Sequence, residues 1–280
     1  MGFLRFFFIL AVSSGMLLTT SQAQRVTTDL LALYEFDEGA GSTVYDKSSV
    51  GTPLNLQIGN TGNIQWLSGN GINIQSATIL QTPVAASKIM TACMSRHEVT
   101  MEAWVRPQNS SQSGPARIMS ISENTAKRNM TLGQSGSRYI GRVRTGTANN
   151  GTPDNQAPSS SVSTSQVQHL VYTYENGQDK IYLNGALVAT RSRSGDFSNW
   201  DTGYHLMMGN EMTQDRKWLG EIYLSAVYSR ALTTTEINQN YQAGYVTTPP
   251  NPNEDWVEAE CGTVGSLWQQ KLDGDASQGQ

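Results

Sequence analysis

The sequence predicts an all-β fold, two antiparallel sheets packed face to face with two short helices. Three observations predict it. Runs that alternate apolar and polar residues with period two recur along the chain, as half-buried strands require. One pair of runs is joined by Asn184-Gly185, a dipeptide that accepts the positive φ angles of a two-residue hairpin. Helical periodicity is confined to two short stretches, which leaves a sandwich as the way to bury so many strands.

Taken in order, the strands are expected at Leu30–Phe36, Val99–Val105, Arg117–Ser122, Tyr139–Thr145, Val167–Tyr174, Lys180–Leu183 with Ala186–Ala189, His205–Met208 and Leu219–Tyr228. In the fifth, Val167, His169, Val171 and Thr173 share one face, and Gln168, Leu170, Tyr172 and Tyr174 the other. The first helix is expected over Ala85–Met94, with Ala86, Ile89, Met90 and Cys93 inward. The second begins at Thr233-Thr234-Thr235-Glu236, whose first hydroxyl and last carboxylate satisfy each other's backbone amides as a capping box. Ile237 and Tyr241 would pack inward, and Gly244 ends it.

The ends of the chain differ from this middle. Residues 1–23 carry Arg5, the apolar run Phe6–Val12 and the small-residue exit Ser21-Gln22-Ala23, the order of a signal peptide. Ser13, Ser14, Gly15, Thr19 and Thr20 interrupt the apolar run, against a membrane anchor. The remaining chain is expected to be exported, secreted or periplasmic, with no membrane span after signal cleavage. Residues 24–246 form the sandwich. Residues 247–255, rich in Pro, Thr and Asn, form a linker. Residues 256–280 begin another β-like segment, too short for a core of its own, so it is expected to be the truncated start of a second domain. Cys93 and Cys261 fall in different parts of this plan. Cys93, flanked by Ile89, Met90 and Met94, is expected to be a buried free thiol.

With 15% charged residues and a net charge of −4, the chain has no basic surplus for neutralising phosphates, and nucleic acid is excluded as a partner. No paired-carboxylate strand, His-Glu-x-x-His or Gly-x-Ser-x-Gly occurs, and His97, His169 and His205 lack ligand spacing. The reading is therefore non-catalytic. Glu102 stands alone between Met101 and Ala103, and His169 reads as a packing or hydrogen-bonding residue.

A ligand held by stacking and hydrogen bonds calls for flat faces with planar polar groups beside them. Trp200 and Trp218, with Asn210, Glu211 and Arg216, supply that mixture in two polar segments, and Arg128, Asn129, Arg142 and Arg144 add donors on predicted strands. The competing reading of the arginines is a solvated face. Trp104 is expected in the core, while Trp200 and Trp218 read equally as surface stacking or edge packing.

Four landmarks in order resemble the LamG-like jellyroll domains of the concanavalin A-like lectin and glucanase superfamily. They are Leu33–Gly41 with Asp46-Lys47-Ser48, Thr100–Pro107, Ile181–Gly185 and Gly220–Leu232 with Thr233–Ile237. The resemblance implies a two-sheet antiparallel jellyroll and a secreted module for polysaccharide or cell-surface glycan. The alternatives are a structural or adhesive spacer that docks protein, or an accessory region of a polysaccharide-degrading enzyme whose catalytic domain lies outside this chain. It also implies a structural calcium ion at a rim, for which Asp37 and Asp46 are the candidate oxygen ligands; ordinary turn chemistry is the competing reading. The tail Trp256-Val257-Glu258-Ala259-Glu260 resembles the opening strand of a family-6 carbohydrate-binding module.

Overall fold

The computed structural model describes residues 23–245, all within the unit Met1–Val246. The signal peptide, the linker, the second-module segment and Cys261 lie outside the described residues.

Two antiparallel sheets of eight strands each form the sandwich. Across the first sheet run Ala186–Arg193, Gly177–Leu183, Gln168–Glu175, Val99–Pro107 and Gly220–Tyr228, then Ile72–Ile74 and Ile64–Trp66; Leu30–Tyr34 pairs with the other half of Gly220–Tyr228. Across the second run Asn155–Gln156, Arg138–Val143, Lys127–Ser135, Ala116–Asn124, His205–Met208, Leu80–Gln81, Leu56–Ile58 and Thr43–Val44.

Alternation within each strand divides the side chains between two layers. Val99, Met101, Ala103 and Val105 join Leu170, Tyr172 and Tyr174 in the main core between the sheets. On the back of the first sheet, Trp104, Val171, Tyr182 and Tyr228 pack beneath Leu232 and Ile237. That second layer is why Val99–Pro107 is buried along nearly its whole length: the helix Thr234–Ala243 covers its outer face.

The Asn184-Gly185 hairpin is present, with φ of 51° and 78° at its two central residues, both in the left-handed region that the turn demands. The capping box at Thr233 and Glu236 is formed, and Gly244 caps the other end with φ 73°. The first helix runs Ser87–Arg96, two residues later than the periodicity predicts. No side chain caps its start, so nothing local pins it there. Cys93 is a buried free thiol, and burial pushes its pKa up. Among the described residues no helix is long and apolar enough to cross a membrane.

Candidate binding face

Strand register builds the site. In the second sheet Arg142 lies opposite Thr131, Thr131 opposite Ser120, Ser120 opposite Met207 and Met207 opposite Gln81. The next row, Val143, Met130, Ile121 and Leu206, faces the core. The first row is therefore the outer face. Register shifts at Arg117/Met119 and Ile121/Ser122 break the alternation. Bulges of this kind re-aim side chains. They bring Arg117 and Arg128 onto the same outer face: one carboxylate, Glu211, reaches both Arg117 and Ser122, and Arg128 pairs in register with Ser122.

The loop after His205–Met208 supplies Glu211. Asn210 shapes it by accepting from the backbone amides of Glu211 (2.9 Å) and Arg216 (3.0 Å). Glu211 is fully buried, taking Arg117 Nε at 3.1 Å and the Ser122 hydroxyl at 2.7 Å. Ser120 Oγ lies 2.8 Å from Ser122 Oγ and 2.9 Å from Thr131 Oγ1, completing a hydroxyl ladder.

Positive charge outweighs what these partners can absorb. Arg117 donates from Nη1 to the Pro115 carbonyl at 2.7 Å, but its Nη2 meets no acceptor among the described residues. Arg128 is 3% exposed and donates from Nη2 to the Thr125 carbonyl; its Nε and Nη1 have none. Arg142 Nη2 stands 3.6 Å from Asp154, and Arg216 Nη1 2.9 Å from Asp215. The Nε atoms of Arg142 and Arg216 are buried without acceptors. Burial first, then the charges of Arg117 and Arg142, push the Arg128 guanidinium down to about 9. Burial likewise lowers Arg117 and Arg142.

Beside this cluster lies a polar cleft of about 540 Å³, lined by Lys127, Arg144, Trp200, Asp201 and Tyr204 among others. The expected residues thus separate. Arg128, Arg142, Glu211 and Arg216 come together, with Asn210 shaping their loop. Arg144 stands past the strand end at Val143 and lines the cleft. Asn129 forms a reciprocal clamp with the backbone of Asp201, at 2.8 and 3.1 Å, so its amide holds a loop rather than facing a ligand.

Of the two readings the sequence leaves open for the tryptophans, surface stacking or edge packing, the structure shows packing. Trp200 is 5% exposed, stacked on Phe197 at 4.2 Å between ring centroids, with its Nε1 donating to the Arg144 carbonyl. Trp218 is fully buried and donates to Gln134 Oε1 at 3.0 Å. Both rings serve the core, because their loops turn inward: the Trp218 amide bonds back to the Gly209 carbonyl. Sequence reasoning also missed Arg117 and Asp154. For Arg117 a signal existed, since it opens the run containing Ser120 and Ser122.

The calcium candidates do not fit an ion as they are placed. Asp46 accepts from the backbone amides of Leu33, Ser48 and Leu54 and from Lys88 Nζ at 2.6 Å. These bonds overcome burial and hold its pKa below the usual range. Asp37 pairs with Lys47. Two ammonium groups occupy the positions a cation would need, and no group of three or more His, Cys, Asp or Glu side chains among the described residues could hold a metal. Saturating calcium chloride is expected to leave the melting temperature unchanged in a thermal-shift assay. A rise of several degrees would show that the ion displaces Lys88.

The sequence model of the family described as the concanavalin A-like lectin/glucanases superfamily matches residues 81–238, more than half of the chain. No curated protein matches it in sequence. Among solved structures, it is similar to the binding domain of botulinum neurotoxin DC in complex with SialylT (12% identity, TM-score 0.52), covering 78% of this chain and 52% of that one. A structure titled for the dependence of botulinum neurotoxin type C cell entry on two ganglioside molecules gives 12% identity and TM-score 0.55, covering 78% and 52%. The botulinum neurotoxin serotype C1 binding domain gives 12% and 0.55, covering 77% and 52%. The chain spans about half the length of these structures, and the likeness shows the fold alone.

Proposed function

The chain belongs to the concanavalin A-like lectin/glucanase superfamily, and from that premise we propose that it is an exported, non-catalytic module that binds carbohydrate on the outer face of its second sheet. The observation that carries this reading is the layer of arginine, serine and threonine side chains on that face, with donors left over. Sheet faces rich in planar donors suit polyhydroxylated ligands. The botulinum neurotoxin domains of similar fold lend support, since one is titled for gangliosides.

The buried carboxylates favour binding over acid–base chemistry. Glu102 is engaged by Arg25 and His169, Glu211 by Arg117, Asp179 by Arg193, and the half-buried Glu221 by Arg106. Against the pull of burial, those partners hold Glu102 and Glu221 below the ordinary range, the reverse of a general acid kept protonated near neutral pH; burial raises Asp179 instead, but Arg193 and the Tyr172 hydroxyl occupy that carboxylate. Export rests on the signal-peptide reading. Cleavage after Ala23 would leave Arg25 as the second residue, placed to pair with Glu102.

The purified protein is expected to be retained on at least one immobilised polysaccharide in a glycan panel. Absence of binding across neutral and acidic glycans would overturn the reading.

A further inference from the structure

Resting on the carbohydrate reading above, we propose that the outer face of the second sheet is an anion site, where Arg117, Arg128 and Arg142 receive the carboxylate or sulfate group of an acidic saccharide. The geometry carries it. Four guanidinium groups share the face, yet the carboxylates there are committed. Glu211 serves Arg117 and Ser122, Asp154 stands 3.6 Å from Arg142, and Asp215 pairs with Arg216. Among the described residues Arg128 has no carboxylate partner and donates to the Thr125 carbonyl. Five buried guanidinium nitrogens, Nη2 of Arg117, Nε and Nη1 of Arg128, and Nε of Arg142 and Arg216, have no acceptor among the described residues. Arg117 and Arg128 are both more than nine-tenths buried.

A buried cation without a counter-charge is costly. Sugar hydroxyls could accept hydrogen bonds but would leave the mutual repulsion intact. A carboxylate or sulfate offsets it, and its paired oxygens match the planar fork of a guanidinium. Burial first, and then the neighbouring charges of Arg117 and Arg142, lower the Arg128 guanidinium in the same direction. The hydroxyls of Ser120, Ser122 and Thr131 are bonded within their own ladder, and Ser122 takes up part of Glu211. Entry is from the side of Arg142 and Arg216, whose side chains keep 14% and 27% of their exposure. Lys127 and Arg144, continuing the same two strands, line the 540 Å³ cleft, so an acidic chain leaving the cluster meets further positive charge. Arg144 Nε is also buried without an acceptor.

The test is affinity electrophoresis of the full-length mature protein through gels holding polygalacturonate, dextran sulfate, or the uncharged dextran and xylan. Retardation is expected from the acidic polymers and not from dextran. Arg128→Gln should weaken it about tenfold, the scale of one lost charge-assisted contact, while the melting temperature stays level or rises. Arg96→Gln, which removes equal charge from the helix Ser87–Arg96, should change retention little. Retention by neutral polymers alone, or equal effects of Arg128→Gln and Arg96→Gln, would overturn the anion site and leave the carbohydrate reading standing. Retention by no polymer would overturn both. A melting-temperature loss in Arg128→Gln as large as that in Arg117→Gln, which strands buried Glu211, would mark Arg128 as structural and overturn the assignment.

Discussion

Glu102→Gln is expected to destabilise the protein by about 3–5 kcal/mol, the usual cost of leaving one half of a buried ion pair behind, and to lower the melting temperature by about 10 °C or more. Glu102 is fully buried under the helix Thr234–Ala243. It takes Arg25 at 2.5 Å, His169 Nε2 at 3.0 Å and Asn240 Nδ2 at 2.8 Å. Arg25 also donates to the Gly244 carbonyl, and Asn240 accepts from the Val26 amide. One carboxylate therefore ties the start of the described chain to two central strands and the last helix. The amide variant keeps the shape but strands the Arg25 charge in a layer of Trp104, Tyr228 and Ile237. Arg25→Gln combined with Glu102→Gln should recover part of the loss, since removing both charges leaves neither unpaired; strictly additive losses would sink this account. The pH dependence has a definite sign. Burial would raise the Glu102 pKa, but Arg25 and His169 pull it well below its ordinary value. A depressed carboxylate contributes stability that is present above the unfolded value, near 4.3, and is lost as pH falls through the folded one. Urea midpoints should therefore fall with acidification below about pH 4 in the wild type, and more shallowly in Glu102→Gln.

What the sequence disclosed and what it hid divide along one physical line. Local chemistry was legible. Asn184-Gly185 needs only its own φ angles, and the Thr233–Glu236 box spans a single turn. The alternation of Val167–Tyr174 put Leu170 and Tyr172 on one face and His169 and Val171 on the other, and the structure sets Leu170 and Tyr172 in the main core and Val171 in the layer behind the first sheet. Long-range pairing was not legible. Glu102 reads as isolated because its partners stand 77, 67 and 138 residues away. Arg117 and Arg128 reach the outer face of the second sheet through bulges, and a bulge inverts the face that simple alternation assigns. Trp200 and Trp218, set among polar neighbours, read equally as stacking surface or edge packing; the bonds that decide it reach distant partners, the Arg144 carbonyl and Gln134.

Gly141→Ala is the second large expected effect, about 3 kcal/mol or more, and it links the core to the proposed binding face. Gly141 has no unusual φ; its role is space. A Cβ there would lie 1.9 Å from Cδ2 and 2.3 Å from Cε2 of Tyr172, which reaches across from the first sheet. The ring cannot simply swing aside, because its hydroxyl donates to buried Asp179 at 3.0 Å, and Asp179 is paired with Arg193. Relief requires either surrendering that hydrogen bond or displacing the strand Arg138–Val143, each adding to the ~1–3 kcal/mol that overpacking alone costs. Tyr172→Leu should be destabilising by itself, yet Gly141→Ala should cost much less in that background, since the clashing ring is gone. Equal costs in both backgrounds would rule out the steric explanation. Arg142 is the next residue along the displaced strand. Gly141→Ala should therefore weaken retention by dextran sulfate even at a temperature where the variant is fully folded, because the guanidinium beside Asp154 moves with its backbone.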